Sequence, residues 1–226
     1  MRSFSKATLS LATAGLLIAG LAACSSGAEA TGSAASPSTS SSAEATPQPV
    51  ASIPSLKGVD TAVLLDAGFA TALTSLGLTP GTVGTATLVD GSLHFPITGG
   101  NVDYYDPAES YRPFVQGSIE HEGSGFSLTA GETTVELTNF TIDPGTSKLF
   151  GDVSVNGTSA ATQVLLFNLY GGTLKPLQMD GDNAILEGTT VHISSVAAGL
   201  LNKTFGTDAV KDQLLVGIAK ITVATK

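Results

Sequence analysis

The stretch Val115-Gln116-Gly117-Ser118-Ile119-Glu120-His121-Glu122-Gly123-Ser124-Gly125-Phe126-Ser127-Leu128 carries the fold in its spacing. Val115, Ile119 and His121 share one phase of a two-residue period, with Gln116, Ser118 and Glu120 on the other. Such alternation marks a strand with one face buried and one face in water. Glu122-Gly123-Ser124-Gly125 then reads as a turn, and Phe126 and Leu128 begin the next strand.

The same period recurs on both sides. Leu93, Phe95 and Ile97 alternate with polar neighbours, as do Val135 and Leu137, and then Leu149, Val153 and Val155. Turn chemistry separates them at Thr98-Gly99-Gly100-Asn101, Asp143-Pro144-Gly145 and Asn156-Gly157. Thr162–Tyr170 holds the apolar run Val164-Leu165-Leu166-Phe167, which predicts a central strand. Short strands at this spacing predict a mainly β (α+β) fold, an antiparallel β-sandwich or barrel.

The two ends of this region resemble each other. Thr61–Asp66 is followed by Phe69, Ala72, Leu73 and Leu76, the i, i+3, i+4, i+7 stripe of a helix, with Asp66 as N-cap and Gly77 as stop. Thr189–Ser194 is followed by Ala197, Leu200, Leu201 and Phe205, with Ser194 or Ser195 and Gly206 in the same roles. Each unit closes on a further strand, Val83–Leu88 in one and Val216–Ile221 in the other. Two short helices in similar strand–helix–strand units are expected, with the two ends pairing to complete one sheet.

Upstream the chain changes character. Arg2 and Lys6 precede an apolar, Ala-rich run that ends at Leu21-Ala22-Ala23-Cys24, the pattern of a secretory signal. Leu-Ala-Ala-Cys resembles the lipobox of bacterial lipoproteins. That resemblance implies cleavage after Ala23 and an acyl anchor on Cys24, the only cysteine of the 226 residues. The run is shorter than the roughly 20 apolar residues of a membrane span. Residues 1–23 are therefore expected to be a signal peptide and 24–55 a lipidated, disordered Ser/Ala/Thr/Pro tether. Such composition cannot bury enough surface to offset its ordering entropy, and about 30 flexible residues reach about 30 Å. Residues 56–226 are expected to form a single extracytoplasmic domain at the cell membrane.

Charge narrows the partners. The chain has 10 basic and 19 acidic residues; loss of Arg2 and Lys6 leaves 8 against 19, a formal charge of −11. An acidic surface repels phosphate backbones, which argues against nucleic acid. With Cys24 acylated no thiol remains for a disulfide, a nucleophile or a thiolate metal site.

Chemistry-bearing residues are few. The loop Asp103–Arg112 combines carboxylates with Tyr104, Tyr105, Tyr111 and Arg112, residue types favoured at recognition surfaces. Asp180-Gly181-Asp182-Asn183 offers three oxygen side chains, making Asp180, Asp182 and Asn183 candidate calcium ligands, although the rest of a calcium loop is missing. His94 and His192 fall on polar phases, and His121 on an apolar phase at a strand end. No Gly-x-Ser-x-Gly or His-Glu-x-x-His spacing is present, so no catalytic residue is assigned and no resident cofactor is expected.

Gly117-Ser118-Ile119-x-His121-x-Gly123, Phe126-x-Leu128 and Val135-x-Leu137-x-Asn139 together resemble the HtaA-type domains of actinobacterial haem-uptake proteins. The resemblance covers about 40 residues and implies a β-rich fold. In that family a tyrosine supported by a histidine holds the haem iron. Phe69–Leu76 contains no matching tyrosine, and Ser124 stands where the histidine would be. Haem ligation is therefore not carried over.

The expected function is a non-catalytic binding or interaction domain, anchored to the bilayer through Cys24. Its partner would be an envelope protein, a glycan or a small ligand. The alternatives are a small-ligand carrier, for haem or lipid, and a hydrolase whose site the motifs do not reveal.

Overall fold

A computed structural model describes residues 47–226. Cys24, the signal and most of the tether lie outside them. In chain order the elements are β1 (Ala51–Ile53), β2 (Val59–Leu65), α1 (Ala67–Ser75), β3 (Thr79–Gly84), β4 (Thr87–Val89), β5 (Ser92–Pro96), β6 (Gly99–Tyr104), β7 (Val115–Ala130), β8 (Thr133–Asp143), β9 (Lys148–Val155), β10 (Thr158–Tyr170), β11 (Gln178–Asp180), β12 (Asn183–Ile193), α2 (Ser195–Phe205) and β13 (Leu215–Ala224). All strand pairs are antiparallel, in the order β1-β6-β7-β8-β9-β10-β12-β13-β2-β5-β4, with β11 on β12 and β3 on β7. The single sheet curls into a half-barrel, so the barrel-like arrangement forms rather than two stacked sheets.

Two sequence expectations change here. Glu122–Gly125 is not a hairpin turn: β7 runs unbroken through it as one 16-residue strand. The extra residues form a bulge, with register shifting between His121↔Phe140 and Gly125↔Thr138. His121 consequently sits in mid-strand and is fully buried. The second change is at the N-terminal side of the domain. Ala51–Ile53, expected in the tether, forms β1 and pairs with Val102–Tyr104 of β6.

The bulge has counterparts on neighbouring strands. β8 shifts between Thr138 and Thr141, and β10 between Ala161 and Val164, both against β9. A bulge adds a residue and so flips the inward phase. In β8 the buried residues are Val135 and Leu137 before it and Phe140 and Ile142 after it. Apolar side chains thus stay on the concave face along the whole strand. Gly151 of β9 lies at this level, where a Cβ would come within 2.9 Å of the Thr138 carbonyl and also strike Leu166 and Phe140.

The helices form where their caps predict. Asp66 accepts from the backbone of Gly68 and Phe69 and starts α1. Ser194 accepts from Ala197 N at 3.0 Å, and α2 ends on Gly206 in the left-handed region. Fully buried Ser194 also donates to Leu165 O at 2.7 Å, and its N–H to Leu166 O, which fixes the start of α2 to β10. Caps of this kind contribute about 1 kcal/mol each.

The ends of the domain pair as expected, Gly217↔Leu65 through Val223↔Val59 between β13 and β2. The two units do not close alike, however. β13 returns beside β12, whereas β3 leaves β2 and pairs with β7. Val83–Leu88 is not one strand, because the chain breaks between β3 and β4 at Gly84, which has φ +62° and lies against the Gly123 carbonyl. Both helices cover one end of the concave face, burying Phe69, Leu73, Ala197, Ala198 and Leu201. Among the described residues no helix covers the opposite end.

Candidate functional site

Where the concave face lacks a helix, β1, β6 and β7 face β12 and β13 across an open interior. The period of two aims Val102 and Tyr104 of β6, Ala184 and Leu186 of β12, and Ile221 and Val223 of β13 into the same space. Ile119, Ile142 and Leu169 form its floor, and Leu174 and Leu177 of the loop before β11 lean over it. The cavity has a volume of about 660 Å³, inside the usual range of about 300–1,000 Å³ for small-molecule sites. At the helix end only a void of about 70 Å³ remains among core side chains.

The loop between β6 and β7 forms one side of the mouth. Tyr104 and Phe114 pack edge to face with centroids 5.7 Å apart, and the Arg112 guanidinium lies 5.7 Å over the Phe114 ring. Three backbone carbonyls hold that guanidinium. Nη1 donates to Glu109 O at 2.5 Å and Tyr111 O at 2.8 Å, and Nη2 donates to Pro107 O at 2.6 Å. Arg112 is the only charged side chain lining the cavity, and no carboxylate lies within ion-pairing distance of it among the described residues. The nearby Asp106 carboxylate accepts from Ala108 N. Burial, reinforced by the Asp106 charge, pushes the Tyr104 phenol above its ordinary pKa.

Of the recognition loop, then, Tyr104 and Arg112 border the cavity. Tyr105 and Tyr111 pack on each other at 4.5 Å and take no part in its lining. The calcium candidates fare differently. Asp180–Asn183 is the tight turn joining β11 to β12, with Gly181 at φ +58°. Asp182 there accepts from Lys226 Nζ at 2.6 Å and from the Thr225 backbone and hydroxyl through its carbonyl. Turn formation and closure against the C-terminal strand account for these residues. No group of three or more His, Cys, Asp or Glu converges on a metal-sized space among the described residues.

The histidines each have a structural partner. His94 pairs with Asp60 at 2.5 Å, and His192 contacts Gln213 O at 2.9 Å and packs on Tyr170. His121 lies between Thr61 Oγ1 at 2.8 Å and Phe140 O at 3.3 Å, and burial lowers its pKa to about 4, so it is neutral at pH 7. Ser124, with no exposed surface, donates to His121 O at 3.1 Å, and Phe69 packs on Phe126. Ser124, Phe69 and Leu73 are thus packed core, whereas Thr71, Thr74 and Ser75 on the outer side of α1 are exposed.

No protein-family model matches the chain, and no curated protein matches it. Among solved structures it is similar to the C-terminal domain of HtaA from Corynebacterium glutamicum. That match has a TM-score of 0.52 and 15% identity, and covers 75% of this chain and 98% of the other. The fold is HtaA-like. Heme binding protein HtaB from the same organism aligns at TM-score 0.48 and 8% identity, covering 77% of this chain and 96% of HtaB. On this HtaA-like half-barrel the open end of the trough is the large cavity.

Sequence reasoning found Tyr104 and Arg112 but missed the walls. Leu174 and Leu177, two leucines in a Gly/Pro-containing loop, were the available signal. Alternation shows which residues point inward; it does not show whether anything lies opposite them.

Proposed function

We propose that residues 51–226 form a non-catalytic carrier domain that holds a small, largely apolar molecule in the cavity between β6–β7 and β12–β13. The observation that carries this reading is the cavity itself: about 660 Å³ lined mainly by apolar side chains, with Arg112 as its one charged residue. A water-filled space of that character is costly, and an apolar guest releases the water. No helix of the described residues is long and apolar enough to cross a membrane. We infer that the Cys24 acyl group and the Ser/Ala/Thr/Pro tether hold the carrier at the outer face of the cell membrane.

Ala184 and Val223 are cross-strand partners that both line the cavity. Ala184→Trp places an indole in it at a strand position that tolerates aromatics. A neutral apolar dye should brighten and saturate with the full chain and lose at least tenfold in affinity with the variant. Equal binding by both proteins places the dye elsewhere and contradicts the carrier reading.

A second reading has its own observation. On the convex face Val89, Ser92, Leu64 and Ile218 lie in one cross-strand row, with Leu64 53% and Ile218 42% exposed. An apolar row in water suits a protein partner. Leu64→Lys with Ile218→Lys should abolish co-purification of such a partner while leaving dye binding intact.

A further inference from the structure

We propose that the molecule carried is an anionic amphiphile: one acyl chain in the cavity, with a carboxylate or phosphate head on Arg112. The inference rests on the carrier reading above and adds the chemistry of the ligand. Its first support is the hydrogen-bond count of the guanidinium. Arginine has five N–H donors. Both Nη1 protons and one Nη2 proton go to the Tyr111, Glu109 and Pro107 carbonyls. Among the described residues Nε–H and one Nη2–H are left without a protein acceptor. Nε–H lies on the edge it shares with Nη2, the fork that takes a carboxylate or phosphate through two parallel bonds. The three carbonyls and the Phe114 ring hold that fork in place before any ligand arrives, so little side-chain entropy is lost on binding.

The second support is position. Arg112 is exposed at the mouth, while Leu186, Ile221 and Val223 behind it are aliphatic. A ligand with a charged end and an apolar body has one orientation in such a site. Flexible aliphatic walls suit an acyl chain.

The test uses the full chain carrying Cys24→Ala, so that no covalent acyl group competes, and four probes: hexadecanoate, hexadecyl phosphate, hexadecanol and haem. At least one of the two anionic probes should bind about ten- to hundredfold more tightly than hexadecanol, and the tighter identifies the head group. Arg112→Gln should remove that advantage and leave hexadecanol unchanged, which also shows that the variant is folded. Equal binding of acid and alcohol, or no effect of Arg112→Gln, overturns the head-group assignment while the carrier reading stands. Binding of haem in preference to every acyl probe overturns the acyl assignment. If no probe binds, both readings fall.

Discussion

Asn139 Nδ2 donates to Asp152 Oδ2 at 2.9 Å, across the β8–β9 pair, at the level where β7, β8 and β10 all shift register. The same carboxylate accepts from Gln163 N at 2.9 Å and Gln163 Nε2 at 3.3 Å on the other side. Asn139 Oδ1 in turn accepts from Gly123 N at 3.0 Å. One polar chain therefore ties the bulges of β7, β8 and β10 through β9. Asn139 and Gln163 both adopt positive φ, at 51° and 45°, a conformation non-glycine residues hold only when their surroundings fix it.

Asp152→Ala should therefore destabilise the domain by about 1–3 kcal/mol, the usual effect of leaving such donors without a partner. Urea unfolding measures it, and Asp152→Asn should cost less. Burial raises this carboxyl's pKa, but the bonds from Asn139 and Gln163 outweigh burial and hold it below the ordinary value. Its stabilisation is present above the unfolded carboxylate pKa and is lost as pH falls through the lowered folded value.

A separate acid sensitivity belongs to His121. Burial lowers its folded pKa to about 4, from the ordinary histidine value of 6.5. Between those values the unfolded chain binds the proton and the folded chain does not, so stability falls as pH drops from 6.5 towards 4 and levels off below. The full effect is roughly 3 kcal/mol. His121→Leu combined with Thr61→Val, which removes the hydroxyl that would otherwise lose its partner, should flatten that part of a Tm-against-pH profile. An unchanged slope in the double variant assigns the acid sensitivity to other groups.

Ser194 joins α2 to the sheet through both its hydroxyl and its N–H. Ser194→Ala should cost about 1–2 kcal/mol, more than Asp66→Ala, whose cap bonds are local to α1. Thermal melts of the two variants provide the comparison, and equal losses would show that the tie to β10 adds nothing.

The lipobox resemblance has its own test. Cys24→Ala should leave the folded domain intact but move the protein out of the membrane fraction or leave it unprocessed. A variant that remains both processed and membrane-bound rules out the acyl anchor.

Much of the sheet is visible in the sequence because alternation is a direct imprint of a half-buried strand: Val135 and Leu137, Leu149 and Val153, and Leu93 and Phe95 are all buried. The helices were legible from Asp66, Ser194 and Gly206, whose side chains or conformations act within one turn. What escaped were long-range effects. The bulges look like turns because Gly123, Gly125 and Asn139 are turn residues, and only the jump from Leu137 to Phe140 betrays the change of phase. β3 was obscured by Pro80 and Gly81, tolerated there because β3 pairs on one side only. The cavity is bounded by strands far apart in sequence and depends on where the two helices stop, which no local pattern records.

The most direct measurement is native mass spectrometry of the full chain purified from its own host, beside the Ala184→Trp variant prepared identically. The cavity should retain a small molecule, seen as one or a few discrete mass additions to the intact chain that are absent from the variant. A bare chain, or additions that persist unchanged in Ala184→Trp, would contradict the assignment of the cavity as a ligand site.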